Sequence, residues 1–309
     1  MGFSLMGLLL LSIAVVCGVA KGYCGRTTGN YAKTIPESAK VSLFRMMFCA
    51  IIGFCIAFIS VGFENIVGIS TPSLLTAMGA GVSMAMFIIV WLICVRKNAY
   101  MLVSVFTNVG VLVPFFLCAI FFGDTISIKQ YIGVAVIIVA VIIMFGYNQS
   151  LKGVKVTVGS VFLLVFCGFL NGMNEFLNAK VFTNLKVKTD NSVAFQFWLY
   201  LSAFVVLALY LIGYNIFIKR TPEQKAEAMK MSGKLFLLIV VISSLTFVFT
   251  LFKTLASEHL GSVQLYTMSL GGDLFLSNLM AAVILHEKPT VKSIVGIVLT
   301  FSAMLLINL

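Results

Sequence analysis

The chain alternates between long apolar runs and short polar breaks. Each apolar run has about 20 residues, the length that an α-helix needs to cross a hydrocarbon core of roughly 30 Å. The runs are continuously apolar rather than alternating, which favours helices over a β-barrel. The pattern predicts ten membrane-spanning helices, over residues 3–23, 43–63, 73–95, 100–121, 131–147, 156–178, 193–218, 235–255, 262–285 and 291–309.

Composition agrees with a chain that lies almost entirely in a membrane. Of the 309 residues, 61% are hydrophobic and 10% are charged, whereas soluble domains are roughly 45–50% apolar. The mean hydropathy is +1.11. Ten spans use about 210 residues, so no segment outside the bilayer is large enough to fold alone. We therefore predict an all-α, multi-pass protein of the plasma membrane.

The net charge of +11 does not indicate a nucleic-acid partner, because the basic residues are scattered singly among short loops. Lys and Arg are instead enriched in loops that stay in the cytoplasm. Fifteen of them, Arg45 included, fall in loops after odd-numbered spans, against four, Lys180 included, after even-numbered spans. This bias predicts that both termini face outward.

The two halves of the chain resemble each other. A shift of 163 residues aligns residues 122–133 with residues 285–296 without a gap. In each copy an apolar run is followed by an acidic residue, then a lysine, then a glycine: Asp124 and Glu287, Lys129 and Lys292, Gly133 and Gly296. We interpret Asp124 and Glu287 as helix-capping residues.

A second similarity, at an offset of 150 residues, places Cys17, Gly18 and Gly22 on Cys167, Gly168 and Gly172. The repeat divides the chain into two units, residues 1–150 and 151–309, each with five spans. Because five is odd, the units must have opposite orientations in the membrane. Inverted repeats are typical of secondary transporters, whose substrate site lies between the repeats near the bilayer midplane. The alternative is a duplication that only enlarged a helix bundle.

These motifs, with the Phe122-Gly123-Asp124 and His286-Glu287 turns and Arg45 at the second span, resemble the EamA-type transporters of the drug/metabolite transporter superfamily. The resemblance covers nearly the whole chain. It implies a ten-helix fold with a central cavity that exports or imports metabolites, amino acids or drugs without ATP. The implied partners are a small solute, with proton coupling as one option, and the lipid bilayer. The protein would act as a monomer or a homodimer.

Polar residues inside the apolar spans are the candidate site residues, because a charge at a helix centre costs about 2.5–3.5 kcal/mol on insertion scales. In the first span, Lys21 shares a helical face with Gly18, Gly22 and Gly25. The corresponding face of the sixth span carries three further candidates, Asn171, Glu175 and Asn178, and Asn174 of the same span is another candidate. Either the two faces meet in one cavity, or Lys21 and Glu175 reach towards the membrane surface and the glycines serve helix packing.

The ninth span carries a polar stripe at helical spacing, formed by Tyr266, Ser269, Asp273 and Ser277. Asp273 is the acidic residue farthest from either end of a span. We expect it either to exchange a proton during the cycle or to pair with a substrate amine. In the fourth span, Thr107 and Asn108 are the corresponding candidates, although Asn108 could equally form a hydrogen bond between helices. Pro114 is expected to kink that helix.

An intramembrane enzyme, and a flippase or non-transporting membrane protein, are the alternatives to a transporter. An intramembrane enzyme would need a nucleophile and base, an aspartate pair or a metal set, but the chain has only two histidines and no HExxH, GxSxG or Walker motif. The seven cysteines lack the spacing of a zinc site. We therefore expect no catalytic residue, no metal and no cofactor. A lipid-carrier flippase or a non-transporting membrane protein would share the predicted fold and remains open.

Overall fold

A computed structural model describes residues 4–98, 100–110, 112–123, 127–152, 157–188, 190–217, 232–284, 286 and 290–308. All regular elements within these ranges are helices. A π-helical turn, Phe176–Val181, joins α8 to α9 in one continuous helical segment. The helices are α1 (Leu5–Gly29), α2 (Ile35–Val61), α3 (Phe63–Val67), α4 (Thr71–Lys97), α5 (Tyr100–Val109), α6 (Leu112–Phe122), α7 (Ile128–Lys152), α8 (Val158–Glu175), α9 (Phe182–Leu185), α10 (Ser192–Phe217), α11 (Gly233–His259), α12 (Ser262–Val283) and α13 (Val291–Asn308).

Seven helical segments of the described chain are long and apolar enough to cross a bilayer. The α7 and α13 helices contain shorter apolar stretches, Tyr131–Ala140 and Val291–Ala303. The expected all-α architecture of a multi-pass membrane protein is confirmed at this level. Every predicted span overlaps a helix, and the count of ten spans stays a prediction.

The helices extend beyond the apolar runs, and this changes two assignments. The α2 helix begins at Ile35, where Thr34 and Glu37 form a reciprocal capping box. The prediction that Arg45 lies in a loop or opens the helix is therefore wrong: Arg45 is buried well inside α2. Lys180 is likewise buried in the π-helical turn and donates a hydrogen bond to the Leu260 carbonyl at 3.2 Å. The count of basic residues in loops after odd-numbered spans loses Arg45, and the count after even-numbered spans loses Lys180. The excess in the loops after odd-numbered spans is therefore unchanged.

The predicted fourth span consists of two helices, α5 and α6. Pro114 lies in the first turn of α6, and its ring excludes a continuous helix by clashing with the carbonyl four residues earlier. That carbonyl belongs to Gly110 and accepts a hydrogen bond from the Val113 amide at 3.0 Å instead. The expected distortion is thus present, as a break before the proline. Asp124 and Glu287, predicted to be caps, lie outside the described residues.

The helices pack in long pairs around a common centre. The most extensive pairs are α1 with α11, α2 with α10, and α7 with α13; α4 packs on both α8 and α10, and α12 on both α1 and α13. Most of the buried hydrophobic residues form one cluster that is contributed by helices from both ends of the chain. This arrangement turns the polar residues of α1, α2, α8, α11 and α12 towards the centre.

One end of the bundle is held together by the carboxylate of Asp190, in the connection between α9 and α10. Asp190 accepts hydrogen bonds from the Ser70 amide at 2.8 Å, the Ser70 hydroxyl at 2.6 Å, the Ser73 hydroxyl at 2.7 Å and the Val187 amide at 2.9 Å. Burial alone would raise the pKa of Asp190, but these donors outweigh it and hold the pKa below its usual value. The carboxylate thereby caps the first turn of α4 from a distant part of the chain.

Asp190→Asn should lower the free energy of unfolding by about 1–2 kcal/mol at pH 7, the usual value of a helix cap. A lowered pKa in the folded state stabilises above the pKa of the unfolded carboxyl and loses this effect as the pH falls through the folded value. The difference between wild type and Asp190→Asn should therefore shrink below about pH 4. Unfolding curves of purified protein in detergent, measured at pH 7 and pH 3, test this. A difference of the same size at both values would contradict it.

Candidate functional site

Helices α1, α2, α4, α5, α8, α11 and α12 surround a cavity, called here the central cavity. The empty space between its lining side chains is about 870 Å³, including the part that opens to solvent. Aromatic, aliphatic, hydroxyl and charged side chains all contribute to the wall. The lining residues are Gly18, Val19, Lys21, Gly22, Arg45, Phe87, Ile88, Trp91, Tyr100, Ser104, Thr107, Asn171, Glu175, Phe249, Lys253, Ser269, Asp273 and Ser277.

A buried ion pair crosses one side of the central cavity. Lys253 of α11 places its Nζ 2.7 Å from Oε2 of Glu175, the last residue of α8. The side chains are 9% and 8% exposed, respectively. Two opposite charges at this depth neutralise each other, and each would be costly if left alone. The pair therefore fixes the position of α11 against α8.

Arg45 of α2 brings a second cation into the wall. Its Nη2 donates a hydrogen bond to the Thr246 hydroxyl at 2.7 Å, and that hydroxyl donates onward to the Ile242 carbonyl at 2.6 Å. The Arg45 Nε is buried without a hydrogen-bond partner among the described residues. Arg45 is 6% exposed, and the described part of the chain places no carboxylate within ion-pair distance of it. Its charge is therefore held in place without being neutralised.

Lys21 of α1 carries the third cation of the wall. Its Nζ lies 3.6 Å from the centre of the Phe249 ring, a cation–π contact that attracts the ammonium but leaves its charge in place. The glycines that share its face make room for aromatic side chains. A Cβ at Gly18 would lie 3.0 Å from the Phe249 ring, and one at Gly25 would lie 2.7 Å from the Trp91 ring.

Asp273 of α12 faces Gly18 across the cavity wall. A Cβ at Gly18 would lie 3.2 Å from Oδ1 of Asp273, so a larger residue at this position would have to displace the carboxylate by a few tenths of an ångström. Within the described residues, Asp273 has neither an ion pair nor a hydrogen bond at its carboxylate. The charges that act on it are Lys21 and Lys253, which attract, and Glu175, which repels. Asp273 is thus an acidic group at a cavity surface that no side chain in the described ranges binds directly.

Six of the ten candidate residues from the sequence line the central cavity: Lys21, Thr107, Asn171, Glu175, Ser269 and Asp273. Asn171 donates a hydrogen bond to the Thr107 carbonyl at 3.1 Å. The stripe on α12 continues to Ser277, whose hydroxyl lies 2.7 Å from that of Ser104 on α5. The structure thus brings the candidates of α1, α5, α8 and α12 to one place.

Three candidates lie elsewhere. The Asn178 Oδ1 accepts hydrogen bonds from Gln196 at 2.7 Å and from Thr254 at 3.0 Å, among buried side chains. The Tyr266 hydroxyl donates to the Glu175 carbonyl at 3.2 Å, so it supports the chain that carries the acid. Asn174 is buried outside the cavity wall. The side chain of Asn108 lies outside the described residues.

The position of Asn178 has a local cause. The π-helical turn begins at Phe176, directly after Glu175, and such a turn accommodates one extra residue. Asn178 lies within this turn, where residues no longer follow the spacing of the preceding α-helix, so it does not share the face of Asn171 and Glu175. The assignment of Asn178 to that face is therefore wrong.

The sequence reasoning missed Lys253 and the contribution of Arg45 to the wall. The predicted eighth span ended at Leu255, which made Lys253 a terminal residue, whereas α11 continues to His259. A signal was present, because α11 carries a polar stripe at helical spacing: Thr246, Thr250, Lys253, Thr254 and Ser257. Such a stripe in an apolar helix indicates a buried polar face.

Comparisons with known proteins identify the fold. No protein-family model and no curated protein matches the chain. A solved structure whose title reads only "Crystal structure of protein" is similar with a TM-score of 0.63 at 11% identity, over 96% of this chain and 97% of that chain. The chain therefore shares, over nearly its full length, the fold of a protein whose structure is known.

Proposed function

We propose that this protein is a secondary transporter that moves a small solute across the plasma membrane by alternating access. Its two halves, residues 1–150 and 151–309, are proposed to be inverted repeats of five spans each, as the resemblance to EamA-type transporters implies. The central cavity is the proposed solute site. The protein is proposed to act without ATP, metal or cofactor, as a monomer or a homodimer.

The observation that carries the proposal is the composition of the cavity wall. Five acidic or basic side chains from five helices meet there: Lys21, Arg45, Glu175, Lys253 and Asp273. Charges inside a membrane bundle are costly and mark ion and substrate pathways. Of these, only Lys253 and Glu175 form an ion pair among the described residues. The other three are placed to interact with a solute or a proton.

Two local features support the inverted repeat. Gly123 has φ of 70° and His286 has φ of 52°, and these residues coincide at the offset of 163 residues, so the two turns share a left-handed residue at the same place. The second feature is a pair of close approaches. Gly168 packs against Gly110, with a Cβ at Gly168 coming 3.5 Å from the Gly110 amide nitrogen. Gly168 corresponds to Gly18 at the offset of 150 residues, and Gly110 corresponds to Asp273 at the offset of 163 residues. Gly18 and Asp273 likewise lie next to each other.

The order of helix packing supports it as well. In the proposed repeats, α1 corresponds to α8, α2 to α10, α4 to α11 and α7 to α13. Exchange of the halves then converts the packed pair α1–α11 into α8–α4, and the pair α4–α10 into α11–α2. All four pairs are present. The same exchange converts the α2–α10 and α7–α13 pairs into themselves, as a two-fold axis between the halves requires. Helices from both halves line the central cavity, which is where alternating access places the solute.

Replacing Asp273 by asparagine tests whether this residue carries a proton. The change keeps the shape of the side chain but removes the group that can gain or lose a proton. The neighbouring charged residues Lys21, Lys253 and Glu175 stay unchanged. We expect net proton-coupled transport into liposomes to fall about tenfold or more, whereas exchange of labelled for unlabelled solute should persist, because exchange needs no net proton movement. Before the variant is tested, a counterflow assay of the wild-type protein in liposomes, carried out with a panel of metabolites, identifies the solute.

Glu64→Gln is the matched control, since it removes one carboxylate from the exposed helix α3. It should leave both activities unchanged. Loss of exchange and net transport together in Asp273→Asn would assign Asp273 to direct solute binding instead. Wild-type rates in both assays would exclude any role of Asp273 in transport.

A further inference from the structure

The charges of the central cavity do not balance. Lys253 and Glu175 cancel as an ion pair. The remaining charged groups of the described wall are Lys21, Arg45 and Asp273, which leaves one positive charge in excess, two cations against one carboxylate. An uncompensated charge at this depth is unfavourable. A negatively charged occupant would compensate it.

Arg45 presents its guanidinium to such an occupant. The Thr246 hydroxyl accepts a hydrogen bond from Nη2 and donates its own proton to the Ile242 carbonyl, which fixes one end of the guanidinium. The buried Nε has no partner among the described residues. Guanidinium N–H groups form a planar fork that matches the oxygen pairs of carboxylates and phosphates. An oxyanion in the cavity would therefore accept hydrogen bonds from the part of the guanidinium that lines it.

Lys21 of α1 and Arg45 of α2 both line the central cavity, although both are positively charged. Like charges repel each other in a medium of low dielectric constant, and an anion that lies near both offsets this repulsion. The Phe249 ring holds the Lys21 ammonium in this position from one side only. The pair thus has the arrangement of a two-point anion site.

The rest of the wall fits an apolar, flat group. Trp91 and Tyr100 line the cavity with their rings edge to face, 6.5 Å apart at 89°. Aromatic walls of this kind bury a planar apolar group well. The cavity therefore combines a cationic pole with an aromatic surface.

We propose that the transported solute carries an oxyanion, a carboxylate or a phosphate, that binds to Arg45 and Lys21, and a flat apolar body that lies against Trp91 and Tyr100. This inference rests on the proposed transport function for its biological meaning. Binding, however, can be measured on purified protein without any flux.

The chain has two tryptophans, Trp91 and Trp198. Trp198 lies outside the cavity wall and donates a hydrogen bond to the Ile66 carbonyl at 2.8 Å. In the Trp198→Phe protein, Trp91 is therefore a single fluorescent reporter inside the cavity. Calorimetric titration of the protein with both tryptophans gives an independent measurement that does not depend on this variant.

Four probes of similar size separate charge from shape: phenylacetate, phenyl phosphate, phenethylamine and 2-phenylethanol. We expect phenylacetate or phenyl phosphate to change Trp91 fluorescence saturably, with at least about tenfold higher affinity than the amine or the alcohol. The tighter of the two anions identifies the oxyanion. Tighter binding of the amine, or no saturable response to either anion up to about 10 mM, would overturn the proposal.

Arg45→Gln and Lys21→Met should each weaken binding of the preferred anion about tenfold or more. Lys40→Gln is the matched control: it removes one cation from the exposed side of the same helix as Arg45, and should leave the affinity unchanged. Lys21→Met keeps the test valid if Arg45→Gln does not fold. Equal affinity in Lys21→Met and wild type would overturn the two-point site.

The two proposals fail in different ways. Anion binding that needs Arg45 and Lys21, in liposomes with no flux of any solute, would leave the anion site standing and remove the transport function. Flux of a neutral or cationic solute, with no binding of the anionic probes, would leave the transport function standing and remove the anion site.

Discussion

Replacing Lys253 by methionine should lower the free energy of unfolding by about 3–5 kcal/mol, the usual cost of leaving a buried charge without its partner. The change keeps an apolar side chain of similar length and strands the carboxylate of Glu175, whose side chain is 8% exposed. Glu175→Gln should have an effect of similar size, because it strands the ammonium. Equilibrium unfolding in mixed detergent and SDS micelles measures both.

The exchanged pair, Glu175→Lys with Lys253→Glu, should recover most of the loss, since it restores the attraction across the same contact. Lys186→Met is the control, because its ion pair with Glu258 has the same length of 2.7 Å but side chains that are 28% and 31% exposed. Exposed pairs contribute about 0–1 kcal/mol. Single variants at Lys253 and Glu175 as stable as wild type would show that the pair does not hold α11 against α8.

Gly172→Ala should lower the free energy of unfolding by about 1–3 kcal/mol through overpacking. An added Cβ at Gly172 would overlap the Gly110 carbonyl oxygen and lie 2.7 Å from the Val113 Cβ. The backbone carbonyl of Gly110 cannot move aside as a flexible side chain can. Helix α8 would therefore have to separate from the junction between α5 and α6, where Gly110 lies. Because Asn171 and Glu175 lie on α8, solute binding should weaken as well.

Gly213→Ala, in α10, is the matched control, since a Cβ there would have no atom within 4 Å. Alanine restricts the unfolded chain more than glycine does, so this variant should be as stable as wild type or more stable by roughly 0.5–1 kcal/mol. The two substitutions are chemically identical and differ only in their surroundings. Equal stability of both variants would contradict the close approach of α8 to Gly110.

The sequence predicted those parts of the site that depend on regular helical spacing. Asp273 and Ser269 lie on one stripe of a regular helix, and both line the cavity. Asn178 departs from this spacing because it lies in a π-helical turn, and nothing in the apolar pattern distinguishes such a turn from an α-helix. The all-α membrane architecture was predictable because apolar length and continuity alone decide it.

The two missed cations show where hydropathy stops being informative. Both residues lie near the ends of apolar runs, so Arg45 was counted in a loop and Lys253 was not singled out as a candidate. Caps and polar turns extend α2 and α11 past those runs, which moves both residues into the bundle. Which cation then meets Glu175 depends on how distant helices pack, and local periodicity carries no such information.

The buried ion pair also bears on how the chain is inserted during synthesis. Among the seven long apolar segments, Val158–Leu185, which carries Glu175, has the lowest window hydropathy, 1.5, whereas the segment Gly233–His259, which carries Lys253, has the highest, 2.7. The weaker segment leaves the ribosome first, before the residue that neutralises its carboxylate has been made. The carboxylate of Glu175 therefore gains its partner only after Gly233–His259 has been made and has packed against the earlier segment.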